Sequence, residues 1–140
     1  MNNTLLIHSI EELNALAQSL IQTGYQKFLL EGELGVGKTQ FVKGVVQALG
    51  GSADEVQSPT YTYMNPYITP RGDLVHMDLY RFESQENAFS KGIFEAIDNH
   101  DYICIEWPKR EEFYVDATRV RLQFSFQSDG SRTITLSSLS

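Results

Sequence analysis

The architecture of this chain is set by one continuous run of residues, Lys27-Phe28-Leu29-Leu30-Glu31-Gly32-Glu33-Leu34-Gly35-Val36-Gly37-Lys38-Thr39. Its first part is apolar between charged ends, which is typical of a buried strand. Its second part, residues 32–39, fits the Walker A pattern Gly-x4-Gly-Lys-Ser/Thr. Apolar residues then recur at helical spacing: Phe41, Val42, Val45, Val46 and Leu49. A strand, a glycine-rich loop and a helix in this order predict a phosphate-binding α/β unit.

Further elements are predicted on both sides of this unit. Upstream, a short strand at Leu5-Leu6-Ile7 precedes a packing helix that begins at the capping box Ser9-x-x-Glu12 and ends at Gly24. The apolar face of that helix is Ile10, Leu13, Leu16, Ala17, Leu20 and Ile21. Downstream we predict, in order, strands at 60–67 and 74–78 that could form a hairpin, a weak helix within 84–99, a strand at 102–106, and an antiparallel pair around the turn 128–131. The whole predicts a three-layer P-loop NTPase-like α/β fold, with helices flanking a mixed, partly antiparallel sheet.

Composition narrows the class of protein. The chain has 140 residues, 41% of them hydrophobic, which suits one domain spanning residues 1–140. Its net charge of −7 argues against direct binding to nucleic acid. The single cysteine, Cys104, lies in an apolar strand and is expected to pack inertly. The absence of a long apolar run or a charged leader predicts a cytoplasmic protein that does not enter membranes.

The glycine loop carries the clearest chemistry. Glycines at 32, 35 and 37 let the backbone approach an anion closely, so that the amides of residues 33–37 can point at phosphate oxygens. These residues are Glu33, Leu34, Gly35, Val36 and Gly37. Lys38 would place a positive charge on the β and γ phosphates, and the Thr39 hydroxyl would bind Mg²⁺. We therefore expect a nucleotide, most simply Mg·ATP.

Polar residues at strand ends are the remaining candidates. Asp78 and Glu106 each end a predicted strand, where a carboxylate can serve the metal or the attacking water, although each could also be a solvated surface charge. Thr60, on a loop after Ser58-Pro59, could sense the γ-phosphate or be an ordinary turn residue. Trp107 could stack on a base or pack in the core. His76 is interpreted as a strand side chain facing the core or an edge.

Four segments in this order resemble the TsaE (YjeE) family. They are the Walker A loop, Ser58-Pro59-Thr60-Tyr61, His76-Met77-Asp78-Leu79-Tyr80-Arg81 and Ile105-Glu106-Trp107-Pro108. The resemblance runs from near Ser9 to the terminal hairpin. It implies a bacterial cytoplasmic ATPase.

The resemblance also implies roles for individual residues. Lys38 and the loop amides would hold the phosphates, Thr39 and Glu106 the magnesium, and Asp78 the Walker B-like acid role. Thr60 would act as a switch and Trp107 would border the nucleotide. Two more nucleotide contacts are implied: Ser9 near the base, and Arg132 in Gly130-Ser131-Arg132, where the family has Gly-Arg without the intervening serine.

The implied function is the ATP-dependent support of threonylcarbamoyl modification of the adenosine beside the anticodon of certain tRNAs. The implied partners are the TsaD and TsaB proteins, with tRNA met through the complex, and the implied ATPase is slow without them. Two other functions stay open: a small-molecule P-loop kinase, and an assembly switch that binds ATP without significant turnover. Which carboxylate is the main magnesium ligand, Asp78 or Glu106, is also left open.

Overall fold

The computed structural model describes residues 2–33, 37–56, 64–79, 92, 95–107 and 116–138. Its strands are β1 (Asn2–Ile7), β2 (Lys27–Glu31), β3 (Met64–Thr69), β4 (Gly72–Asp78), β5 (Tyr102–Glu106), β6 (Arg119–Phe126) and β7 (Arg132–Ser138). Its helices are α1 (Ile10–Thr23), α2 (Lys38–Ala48) and a 3₁₀ turn, Ala53–Glu55. Residues 95–99 are also helical, within the weak helix predicted there.

The strands form one mixed sheet in the order β1-β7-β6-β2-β5-β4-β3. The four central strands, β6, β2, β5 and β4, are mutually parallel. The outer pairings, β1 with β7, β7 with β6, and β3 with β4, are antiparallel. The predicted mixed, partly antiparallel α/β fold is therefore confirmed, and the predicted pairing of β3 with β4 is observed from Met64 onward.

Helix α1 follows its sequence signals closely. The Ser9 hydroxyl accepts a hydrogen bond from the Glu12 backbone N–H at 3.1 Å, and the Glu12 carboxylate accepts one from the His8 N–H at 2.7 Å. Gly24 ends the helix with φ 113°, in the left-handed region that glycine adopts easily. The prediction that Ile10 belongs to the packed face is wrong. This residue is at the first helical position, where the helix does not yet pack on the sheet, and it is 50% exposed.

Two apolar clusters lie on opposite faces of the sheet because side chains alternate along each strand. Phe28 and Leu30 pack with α1 and α2 on one face, whereas Leu29 packs with Ala96 on the other. On the first face the Phe41 ring meets the Phe28 and Phe124 rings edge to face, with centroids 5.8 and 6.3 Å apart. These contacts hold α2 firmly over the central strands.

Most of the candidate residues lie at one edge of the sheet, the edge where the parallel strands end. The parallel strands β2, β5 and β4 end there at Glu31, Glu106 and Asp78. Because β7 runs antiparallel to β6 and β1, Arg132 begins β7 at the same edge, where it pairs with Ile7 at the end of β1. Ligands of open α/β sheets bind beyond the carboxyl ends of parallel strands.

Candidate functional site

The two ends of the glycine loop have the backbone that the sequence predicts. Gly32 has φ 142° and Gly37 has φ 114°, both in the region that favours glycine. Gly37 is the N-cap of α2, and its carbonyl accepts the Phe41 N–H at 2.9 Å. Glu33 is exposed. Leu34, Gly35 and Val36 lie outside the described residues, so the predicted convergence of the loop amides stays a prediction.

Lys38 is the first residue of α2 and is almost fully buried, at 3% exposed. Its ammonium donates a hydrogen bond to the Gly32 carbonyl at 2.7 Å. The same Nζ lies 4.2 Å from the centre of the Trp107 ring, a cation–π contact. Burial lowers the pKa of Lys38 from its ordinary value, and the negative charges of Glu106 and Asp78 oppose that shift. The lysine is therefore a desolvated cation that faces both predicted carboxylates.

Asp78 and Glu106 are register partners on the neighbouring parallel strands β4 and β5. Glu106 is 6% exposed, so the interpretation of this residue as a solvated surface charge is wrong. Asp78 is partly exposed. The structure thus brings both carboxylates to the Lys38 side of the sheet.

His76 is the residue whose importance the sequence did not reveal. It is fully buried, and its Nε2 lies 2.5 Å from Oε2 of Glu106. The only available signal was that His76 and Asp78, two positions apart on one strand, share a face. That signal could not identify Glu106 as the partner, because the contact joins residues 30 positions apart on two different strands.

Trp107 leaves β5 with an unusual backbone. Its φ is 53°, the one positive value for a non-glycine residue among the described residues. Its N–H donates to the Leu30 carbonyl at 3.2 Å, which ties the turn to the end of β2. A bulky residue in the left-handed region costs on the order of 1 kcal/mol or more. The turn places the ring against Lys38 at the mouth of the loop.

Arg132 and Ser9 are two further predicted nucleotide-binding residues at this edge of the sheet. A Cβ added to Gly37 would lie 3.5 Å from Cδ and Nε of Arg132, so the arginine runs alongside the start of α2. The serine inserted before Arg132 does not carry it away from the loop. Ser9 follows Ile7 at the same edge and caps α1 through its hydroxyl, while its predicted contact with the base stays a prediction.

Two predicted residues have less structural support. Thr39 lies in the first turn of α2, directly after Lys38, as its predicted role requires. Thr60 lies outside the described residues. Within the described ranges no group of three or more His, Cys, Asp or Glu side chains is arranged to hold a metal by itself.

The fold and this edge define an α/β protein in which a Walker A sequence joins a central parallel strand to a packed helix. The family model for threonylcarbamoyl adenosine biosynthesis protein TsaE matches residues 7–134, and the chain belongs to the TsaE family. It is 36% identical over 110 residues to the tRNA threonylcarbamoyladenosine biosynthesis protein TsaE of Aquifex aeolicus, covering 76% of this chain and 77% of that protein. It is 37% identical over 108 residues to the protein of the same name in Treponema pallidum, covering 77% and 78%.

A solved structure has the same fold. The crystal structure of Bacillus subtilis YdiB matches with a TM-score of 0.74 and 25% identity, over 100% of this chain and 87% of that one. In the described part of the chain, neither α1 nor α2 nor any shorter helix has the length and apolar character needed to span a bilayer.

Proposed function

We propose that this chain binds Mg·ATP on residues 32–39 and hydrolyses it to support threonylcarbamoyl modification of the adenosine beside the anticodon of tRNAs. It would act in the cytoplasm with the TsaD and TsaB proteins, and its turnover would be slow without them. Membership of the TsaE family supports the modification pathway. The arrangement around Lys38 supports the use of ATP.

The observation that carries the proposal is the environment of the Lys38 ammonium. A buried cation is costly unless it has partners, and its one described hydrogen bond is to the Gly32 carbonyl at the mouth of the loop. Phosphate oxygens are stronger acceptors for an ammonium than a neutral carbonyl is. The residue is thus held, desolvated, where a triphosphate would satisfy it.

Arg132 supplies a second feature suited to an anion. Its Nε is buried and has no hydrogen-bond partner in the part of the chain that the structure describes. Buried donors without partners are rare in folded proteins, and a ligand that binds there is one ordinary explanation. Because the side chain runs beside Gly37, we propose that its guanidinium contacts the phosphates.

The residues present also fit a magnesium ion that arrives with the nucleotide. Mg²⁺ takes six oxygen ligands and is usually bound by one or two carboxylates together with phosphate oxygens and water. Thr39, Glu106 and Asp78 would offer protein oxygens, and the described residues hold no self-sufficient cluster of three acidic or histidine side chains. When bound, the ion would neutralise charge on the β and γ phosphates.

The chain's own groups then have distinct tasks in hydrolysis. Lys38 stabilises the negative charge of the transferred phosphoryl group, and the loop fixes the triphosphate for in-line attack by water. Of the two carboxylates, Glu106 is buried and contacts His76, whereas Asp78 is partly exposed to water. We therefore propose Glu106 as the principal metal ligand and Asp78 as the group that orients water. Thr60, as a switch residue, would complete this arrangement.

The acidity of the chain favours contact with tRNA through its partners. Of the basic residues near the end of the chain that could touch tRNA directly, Arg121 is engaged by Glu31 in an ion pair. Arg119 also has an interaction partner. Lys109 and Arg110 lie outside the described residues. A net charge of −7 adds a general repulsion toward a phosphate backbone.

The first experiment is nucleotide binding by calorimetry with a matched pair of variants. Lys38→Ala should weaken Mg·ATP binding by on the order of 10- to 100-fold, because it removes a charge-assisted contact. Lys43→Ala, on the same helix, should bind like the unaltered chain. Competition with GTP tests the base preference. Equal affinity of both variants would contradict the proposed site.

The second experiment follows phosphate release with and without TsaD and TsaB. We expect slow release alone and faster release in the complex, with Asp78→Asn and Glu106→Gln both impaired. ATP recovered intact from the working complex would favour an assembly switch instead. A phosphorylated small molecule formed from an added acceptor would favour a kinase.

A further inference from the structure

His76 is one of a few polar side chains on the otherwise apolar sheet face that α1 and α2 cover. Leu74 of β4 packs in that core, and His76 and Asp78 follow it at the strand period of two, so all three share the face. The register partner of His76 is Cys104, and the register partner of Asp78 is Glu106. His76 therefore lies one step below the Asp78–Glu106 pair, on the core side of the site.

The contacts of His76 indicate that Nε2 carries a proton. Nε2 lies 2.5 Å from Glu106 Oε2, and Nδ1 is buried without a hydrogen-bond partner in the described structure. A proton on Nδ1 would be a buried donor with no acceptor, which costs more than an empty acceptor position on the same atom. The arrangement therefore favours a proton on Nε2, donated to the carboxylate.

This hydrogen bond constrains Glu106 in a way that Lys38 cannot. A glutamate side chain has three rotatable bonds, whereas the His76 ring is fixed by complete burial. Fixing Oε2 limits rotation of the carboxylate. Second-layer hydrogen bonds of this kind commonly orient the carboxylates that hold metal ions.

We propose that His76 is a positioning residue that aims the Glu106 carboxylate at the nucleotide and its metal ion. This inference rests on the proposed function and adds to it a residue with no direct contact to substrate. The histidine does not act as a metal ligand or as a proton acceptor from water, because it lies beneath the carboxylate and its one hydrogen bond within the described residues is to Glu106.

The first test needs no nucleotide. The chain has three histidines, so ¹⁵N-labelled imidazole resonances can be assigned by substituting each in turn. In the ligand-free protein we expect Nε2 of His76 to be protonated. An unprotonated Nε2 would overturn the proposal, because the ring could then donate no hydrogen bond to Glu106.

The second test separates positioning from packing. His76→Leu replaces the ring with an apolar side chain of similar size that has no hydrogen-bond donor. His76→Gln restores an N–H donor. Cys104→Ala is the control, since it disturbs the register partner of His76 without removing the hydrogen bond. For each variant, ATP affinity is measured as a function of Mg²⁺ concentration, and kcat and KM are measured in the complex with TsaD and TsaB.

We expect His76→Leu to raise the Mg²⁺ requirement and lower kcat by about 10- to 100-fold, the range typical of lost second-layer contacts. Affinity for ATP without Mg²⁺ should change less than about twofold, since Lys38 and the loop are untouched. His76→Gln should recover most of the loss, and Cys104→Ala should behave like the unaltered chain. If His76→Leu keeps the normal Mg²⁺ dependence and kcat, or if His76→Gln is no better than His76→Leu, the inference fails while the proposed function stands. If the unaltered chain binds no Mg·ATP, both fail.

Discussion

The ammonium of Lys38 lies 4.2 Å from the centre of the Trp107 ring. Lys38 lies in the first turn of α2, and Trp107 lies in the turn after β5. Gly37, which precedes Lys38, and Trp107 itself both have a positive φ, in the left-handed region. Charge on the loop lysine is therefore coupled to the environment of an indole ring. A triphosphate that draws the ammonium toward its own oxygens would alter that contact.

Trp107 should accordingly report nucleotide binding through its fluorescence. It is the only tryptophan of the chain, so the emission belongs to this ring alone. We expect Mg·ATP to change its intensity or wavelength, and Lys38→Met to change the emission of the ligand-free protein as well as to abolish the response. Lys43→Ala should preserve both signals. Identical ligand-free spectra for Lys38→Met and the unaltered chain would show that the contact is absent in solution.

Lys38→Met should also change the free energy of unfolding only slightly. Burial lowers the pKa of Lys38 despite the two carboxylates, so the charged form is net disfavoured in the folded protein. An apolar replacement removes that cost, but it also takes a positive charge away from Glu106 and Asp78. Glu106 keeps its contact with His76. Because the two effects oppose each other, urea unfolding should give a free energy within about 1 kcal/mol of that of the unaltered chain. A loss above about 1 kcal/mol would mean that Lys38 is mainly structural.

The central unit of this fold was predictable because its signals are local. Strand β2 has the bounds that the apolar run predicts, and α1 has the cap and the terminal glycine that its sequence specifies. The gathering of Asp78 and Glu106 at one edge also followed, since carboxyl ends of parallel strands meet there. Each of these inferences needs only residues close together in the sequence and one general rule.

Features that depend on long-range pairing were not predictable. The sequence does not reveal that β6 lies next to β2, or that β7 therefore carries Arg132 to the side of Gly37. Nor does it indicate that the Glu106 carboxylate forms a hydrogen bond with His76. Side chains from distant strands meet only once register is set, and register is a property of the whole sheet.

Asp116 should make stability depend on pH in the acid range. Burial alone would raise the pKa of Asp116, but hydrogen bonds from Lys27 and Thr118 outweigh it and hold the pKa below its ordinary value of 3.8. A carboxyl with a lowered folded pKa stabilises the fold above its unfolded pKa and loses that contribution as pH falls through the folded value. Asp116→Asn should therefore be less stable than the unaltered chain at pH 7, and the difference should shrink below about pH 3.8.

The matching control for Asp116 is its cationic partner. Because the Asp116 side chain is 45% exposed, water screens the pair, and the expected loss is at most about 1 kcal/mol. Lys27→Met should cost a similar amount alone and little more in the Asp116→Asn background, since the two changes remove one interaction. Additive losses in the double variant would contradict a direct pairing. Chemical denaturation at several pH values measures all four proteins.

Gly44 should be intolerant of alanine although it lies in the middle of α2. In an open helix, alanine would be more favourable than glycine by about 1 kcal/mol. Here an added Cβ would lie 2.8 Å from Asn14 Oδ1, 3.3 Å from the Asn14 Cα and 3.3 Å from the Ala17 Cβ, so α1 would have to move away. Overpacking of this kind costs about 1–3 kcal/mol, and we expect a net loss near 1 kcal/mol in thermal or urea unfolding.

The same contact predicts how that loss can be reversed. Asn14 Oδ1 is buried without a hydrogen-bond partner in the described structure, so Asn14→Ala alone should cost little. In the Gly44→Ala background it removes the closest of the crowding atoms and should recover at least half of the lost free energy. Such coupling is expected only between residues in contact. A double variant as unstable as the sum of the two single variants would show that α1 and α2 do not pack this closely, and that the glycine is required for another reason.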